Sequence, residues 1–215
     1  MCAKVTERLF DPDCRRCERL SGFLQEVSVQ HPDYYARPVP PFGDPDAELL
    51  IVGLAPGMHG ANRTGRPFTG DHAGILLYRT LYECGFSNQP ESVAADDALV
   101  LNNCRITNAV KCLPPQNKPV TQEIRQCNDF LRAELATLRT GSVVFALGKI
   151  AHDAVLRSLG LPLSKHRFAH AAEHVLEPFT LLDSYHCSRY NTQTRRLTEK
   201  MFRSVFERAR SLLEG

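Results

Sequence analysis

Three sets of residues have the types and spacing to do chemistry. Cys14 and Cys17, two residues apart, form a chelating pair, and Cys112 and Cys127, with fourteen residues between them, can add two more ligands to the same centre. Four soft ligands suit tetrahedral zinc or an iron–sulfur cluster. The second pair departs from the two-by-two CxxC spacing of a zinc ribbon. The plain alternative is that Cys127, on an apolar helical stripe, is a small buried hydrophobe, as Cys84, Cys104 and Cys187 are expected to be. Cys2 is expected on a frayed terminus.

The second set is the segment Gly53 to Asp71, GLAPGMHGANRTGRPFTGD, which gathers glycines, Asn62, Arg63, Arg66, Phe68 and Asp71 behind a short apolar run. It is neither a GxGxxG dinucleotide fingerprint nor a GxxxxGK[ST] phosphate loop, so it is expected to bind something close to its backbone other than a nucleotide cofactor. The third set is histidine. His186 follows Leu181-Leu182-Asp183-Ser184-Tyr185 at an expected strand end, and His166, His170 and His174 fall at steps of four. Those three would share a face only on a helix, and the neighbouring residues leave helix and strand both open.

The elements that must position these groups can be read from periodicity. Glu48–Leu54, Arg105–Val110, Ser142–Leu147 and, more weakly, Thr180–Leu182 read as buried strands. A helix opening at Thr121 carries Ile124, Cys127, Leu131, Leu135 and Leu138 on one stripe, and Lys149–Leu159 and Thr194–Leu213 also read as helices. His72–Cys84 could be a helix capped by Asp71. The alternation predicts an α/β fold: three layers, α/β/α, around a mostly parallel four-stranded sheet whose functional loops leave the carboxyl ends of the strands. Residues 1–47 read as an added N-terminal helix and an irregular, Pro- and Asp-rich connection. With no repeat and no linker, 1–215 is expected to be a single domain.

Composition narrows the classes. The chain has 215 residues, 26 Lys+Arg and 24 Asp+Glu, so a histone-like basic coat and an acidic disordered tail are both excluded. No apolar run approaches the about 20 residues of a membrane span. The start, Met1 to Arg8, is charged and lacks an apolar signal core, so a reducing cytoplasm is the expected compartment.

The glycine-rich segment resembles the first motif of the uracil-DNA glycosylase superfamily, and family 5, the UDGb type, within it. Ile106 to Cys112 (ITNAVKC) and Ser184 to Thr198 (SYHCSRYNTQTRRLT) resemble two further motifs, the latter written HPSxxNTxTxxLT in the family. The cysteine spacing is similar to that of the four ligands of a [4Fe–4S] cluster in family 5 and family 4; zinc is the less favoured alternative. The resemblance runs from Cys14 to Thr198.

It implies a glycosylase that flips a damaged base out of double-stranded DNA and cuts its N-glycosidic bond, leaving an abasic site in a cytoplasmic, nucleoid-associated setting. Each task has a residue. Phe68 can stack on the base, and Asn108 offers the donors and acceptor that read a uracil edge, or else it only pins its loop. His186 can hydrogen-bond the carbonyl on which charge builds, and Asp71 can position water or balance an oxocarbenium ion, if it is not simply a helix cap. Gly53, Leu54, Ala55 and Gly57 would line the base slot. Small residues at Ala55 and Gly57 imply that hypoxanthine and xanthine enter as well as uracil.

DNA contacts are expected from His59, Asn62, Arg63 and Arg66 on the first loop and from Ser188, Arg189, Tyr190 and Asn191 on the last. Arg203, Arg208 and Arg210 read instead as the solvated face of a helix. Cys187 stands where the family has proline. No well-placed lysine accompanies the motifs, so no lyase step is expected. A monomer acting on DNA without a membrane is expected; the alternative is a non-catalytic metal- or cluster-containing nucleic-acid-binding protein.

Overall fold

The computed structural model describes residues 10–215, so Cys2 and the charged start lie outside the described residues. Four strands, of which β2 and β4 read as near-continuous apolar runs, form the centre of a sheet: β2 (Leu49–Gly53), β3 (Cys104–Asn108), β4 (Ser142–Leu147) and β6 (Phe179–Ser184). Runs of this kind belong where both faces are covered. In the order β3-β2-β4-β6 all three neighbouring pairs are parallel, Ile51 lying opposite both Ile106 and Phe145.

The sheet has six strands rather than four. β1 (Phe42–Gly43) and β5 (Glu173–Leu176) add antiparallel edges beside β3 and β6. Two residues are too few for a period, and β5 is mostly solvated. Neither carries an apolar alternation that sequence reading could use.

Alternating side chains send the strands into two cores. On one face Leu50, Val52, Val144, Ala146 and Leu181 meet α1 (Glu18–Gln30), α4 (Thr121–Leu135) and α5 (Lys149–Ser158). On the other, Leu49, Ile51, Ile106, Val143, Phe145 and Leu182 meet α3 (His72–Glu83) and α7 (Glu199–Glu214). Short helices α2 (Ala61–Thr64) and α6 (Arg189–Gln193) lie in the loops after β2 and β6. The helix read as Thr194–Leu213 begins five residues later, because Arg195 is left-handed (φ 57°) and Thr198 caps the new start by accepting from Met201 N–H. Helix α4 stops at Leu135, short of Leu138.

The chain runs from β2 to β3 on one side and then returns to β4 on the other. Such a switch opens a crevice outside the carboxyl ends of the strands, where ligands bind in sheets of this type.

Candidate active site

Three strand ends deliver the candidate residues to that crevice. Gly53 and Asn108 are the paired last residues of β2 and β3, and His186 lies two residues beyond β6. A cavity of about 340 Å³ there is lined by Leu54, Ala55, Gly57, Phe68, Asp71, Asn108, His186, Ser188 and Arg189, together with His72, Ala73 and Asn117. Nine residues expected from the sequence thus meet in one place.

The slot is flat because of local backbone geometry. Phe68 sits at φ 57°, in the left-handed region that a bulky residue rarely occupies, and its ring lies 6.1 Å from that of His186 at an angle of 31°. Gly53 lies under the slot: a Cβ there would meet the Phe68 ring at 2.7 Å and the Asn108 side-chain oxygen closer still. Strain of this kind persists only where surrounding structure fixes it.

The polar groups in the cavity are left incomplete. Asn108 is 4% exposed, and its Oδ1 has no hydrogen-bond partner. A buried carbonyl without a donor costs about 1–3 kcal/mol, so an incoming N–H finds it already desolvated. His186 is pushed down by burial to about 4, which makes it a neutral imidazole at physiological pH. Asp71 is raised, chiefly by burial, against the lowering effects of the Ala61 N–H and the charges of Arg63 and His59. It stands at the N-cap position of α3, yet its carboxylate does not cap that helix; Oδ2 accepts from Ala61 N at 3.2 Å. Gly57 and Gly60 make room for it, since a Cβ on either would run into the carboxylate.

Cys14, Cys17, Cys112 and Cys127 line a second, smaller cavity between α1, α4 and the loop after β3, with Leu20, Pro38 and Phe130 closing it. Lys111 N–H donates to Cys127 Sγ at 3.2 Å. Among the described residues the one set of three or more candidate ligand atoms within 4.8 Å of one another is His152, His174 and Asp183. Arg19 braces this corner by a bidentate ion pair to Glu123, both contacts 2.7 Å.

A sequence model described as the uracil DNA glycosylase superfamily matches residues 40–210. The type-5 uracil-DNA glycosylase of Thermus thermophilus is 49% identical over 205 residues, 93% of each chain, and that of Pyrobaculum aerophilum 41% identical over 201 residues, 92% of this chain and 88% of the relative. The chain belongs to the uracil-DNA glycosylase superfamily, in its type-5 group. The type-4 enzyme of Archaeoglobus fulgidus is more distant, 34% identical over 149 residues, 69% of this chain and 61% of that one.

Within this superfamily chain, some residues expected on DNA are turned inward. Arg66 is 5% exposed, ion-paired to Asp97, bonded to Ala95 O at 2.6 Å and stacked over the Phe42 ring. It ties the first loop to the 92–97 segment. Asn62 is fully buried in α2. Asn191 donates from Nδ2 to His186 O at 2.8 Å and so holds the histidine loop, while Ser188 caps α6 by accepting from Asn191 N–H. His59, Arg63, Arg189 and Tyr190 are exposed. Arg203, Arg208 and Arg210 are paired with Glu83 and Glu207, Glu173, and Glu214 respectively.

Sequence reading missed Asn117 and His152. Asn117 reaches the pocket because Gln116 and Asn117 are both left-handed (φ 56° and 57°), a turn for which the Pro114-Pro115 pair was the available signal. His152, His174 and Asp183 form a buried cluster beside β6. His152 Nδ1 meets Asp183 Oδ1 at 2.8 Å, His174 Nε2 meets Oδ2 at 3.3 Å, and His152 Nε2 donates to His166 O at 2.9 Å. These are hydrogen-bond distances. His166, His170 and His174 do not share a helix; His174 is on β5 and His170 Nδ1 accepts from Tyr185 N–H.

Proposed function

We propose that this protein is a monofunctional DNA-repair glycosylase that hydrolyses the N-glycosidic bond of uracil, and of other deaminated bases such as hypoxanthine and xanthine, in double-stranded DNA. The observation that carries this reading is the orphaned Oδ1 of Asn108, buried in the wall of a slot shared with Phe68 and His186. A water-filled groove would leave it solvated. A uracil edge supplies the missing N–H.

The target nucleotide leaves the stack and its base enters the slot, where contact with Phe68 offsets part of the lost stacking, about 1–3 kcal/mol. Asn108 accepts from base N3–H and donates from Nδ2 to the neighbouring carbonyl. As the N1–C1′ bond lengthens, negative charge builds on the base, and the neutral His186 donates a hydrogen bond to the carbonyl beside N1. A preformed donor in a dry site stabilises that anion more than the uncharged nucleoside, which is where the rate comes from. Asp71, which accepts from the Ala61 N–H, balances the positive charge at C1′ and takes the proton of the water that adds there. The products are the free base and an abasic site.

Four soft thiol ligands lining one small cavity are the donor set of a resident [4Fe–4S] cluster, with zinc the less favoured alternative. Cys14, Cys17, Cys112 and Cys127 would hold it. When bound it supplies a structural cross-link between the N-terminal segment and the β3–α4 connection. The chain would then act as one domain and as a monomer in a reducing cytoplasm, at the nucleoid; no helix among the described residues is long and apolar enough to cross a membrane.

A panel of duplexes, each with one damaged base, scored for strand scission after alkali, tests the reading. Scission at uracil and at hypoxanthine is the expected result. Salt-dependent binding with no scission at any base would leave the non-catalytic alternative. Anaerobic purification with an absorption spectrum separates iron–sulfur from colourless zinc.

A further inference from the structure

One polar surface beside the pocket is used by none of the steps above. His31 and Tyr34, at the end of α1, meet His59 of the first loop: Tyr34 Oη and His59 Nδ1 are 2.8 Å apart, and the Tyr34 ring stacks on His31 with centroids 4.4 Å apart at 17°. Arg63 is exposed and makes no ion pair among the described residues; its guanidinium lies beside Gly70. This surface is bound to the pocket wall. Tyr35 N–H donates to Arg63 O and Ala36 N–H to Asn62 O, both at 3.0 Å, so the 31–36 segment is laced to the loop that also holds Asp71.

Strand order fixes where it stands. Val39 N–H donates to Lys111 O just beyond β3, which places the segment on the β3 side of the crevice, whereas Arg189 and Tyr190 follow β6 on the far side. A strand crossing the crevice with one nucleotide flipped into it needs a hold on each flank.

Resting on the glycosylase reading, we propose that His31, Tyr34, His59 and Arg63 form the second hold, gripping the phosphodiester backbone of the flipped-nucleotide strand opposite Arg189. Arg63 supplies the fixed charge. Tyr34 supplies orientation: when its hydroxyl donates to His59 Nδ1, the imidazole proton must be on Nε2, which then faces outward as a donor for a phosphate oxygen. His31 lies face to face with the Tyr34 ring and keeps that hydroxyl in line. Asp33 is the acidic group in the same turn, and it forms no ion pair with Arg63 or His59. Tyr34 and His31 are thus positioning residues, acting through His59.

The test is anisotropy of a fluorescent duplex carrying a tetrahydrofuran abasic-site analogue, titrated with the full protein across a KCl series. Arg63→Gln is expected to weaken binding about 10-fold and to lower the slope of log K against log salt by about one. Tyr34→Phe should cost about 3-fold, and adding it to His59→Gln should cost nothing more, because the hydroxyl acts through the imidazole. Arg208→Gln, on α7 and away from the crevice, is the control expected to bind normally. In single turnover at saturating protein the losses should largely recover, a Kd effect rather than a rate effect. Normal affinity and salt slope in Arg63→Gln, His59→Gln and Tyr34→Phe, or simple additivity of the last two, would overturn the proposal. Binding that follows this pattern in a protein that releases no base would sink the glycosylase reading alone.

Discussion

The pocket and the His152–Asp183–His174 cluster are both buried polar regions at the same end of the sheet, yet one is complete and the other is not. In the cluster both Asp183 oxygens and both His152 nitrogens have partners. In the pocket Asn108 Oδ1 has none, the Asp71 carboxylate takes one weak hydrogen bond, and Phe68 is held at positive φ. Matched polar groups stabilise a fold; unmatched ones cost stability and wait for a ligand. The cluster therefore reads as scaffold, stapling the end of β6, and with it the His186 loop, to the first turns of α5. The pocket reads as the working site.

This contrast can be broken experimentally. Asp183→Ala leaves two imidazoles buried without their carboxylate, and a loss of about 3–5 kcal/mol in urea unfolding is expected; a variant of normal stability would remove the scaffold role. Asn108→Ala and His186→Ala should each slow single-turnover base release by about 10²–10³ with unfolding midpoints unchanged. Asp71→Asn is expected to slow release by about 10² and at the same time to raise Tm, by roughly 2–4 °C per kcal/mol recovered, because it replaces a carboxylate that burial disfavours. A lower Tm would class Asp71 with the cluster instead.

The smallest effects concern pH, and they have opposite signs in the two regions. Burial alone pushes His152 down, but the hydrogen bond and charge of Asp183 and the His166 carbonyl outweigh it, so its net shift is upward from 6.5. Its contribution is whole below that value and is lost as pH rises through the folded pKa. His186, pushed down to about 4 from 6.5, behaves the other way: its neutral buried form loses stability as pH falls from about 6.5 towards 4. His152→Gln should flatten the alkaline side of a stability–pH curve, and His186→Gln the acid side. Curves that flatten on the same side would erase the distinction.

Much of this was legible in the sequence. The inner strands announce themselves where burial on both faces demands apolar runs, most plainly in β2 and β4, and β4 is found at the residues read, Ser142–Leu147. The pocket was legible because Gly53, Phe68, Asp71, Asn108 and His186 belong to motifs whose order survives folding. The inward turn of Arg66 was not, since its fate depends on Asp97, thirty-one residues away, and a charge in a loop looks the same whether it meets solvent or a carboxylate.

By itself, then, the sequence determined which segments must be buried, and so the layered α/β architecture and the sheet edge on which its motifs gather. Tertiary structure alone decided which polar groups found partners. Hydrophobic burial is a property of each segment and leaves a periodic mark, whereas pairing joins atoms far apart in the chain. His152 with Asp183, Arg66 with Asp97 and Tyr34 with His59 are such pairs. Pairing was withheld from Asn108 Oδ1 in the pocket wall, as it was from both amide atoms of Asn62 and from Asn128 Oδ1.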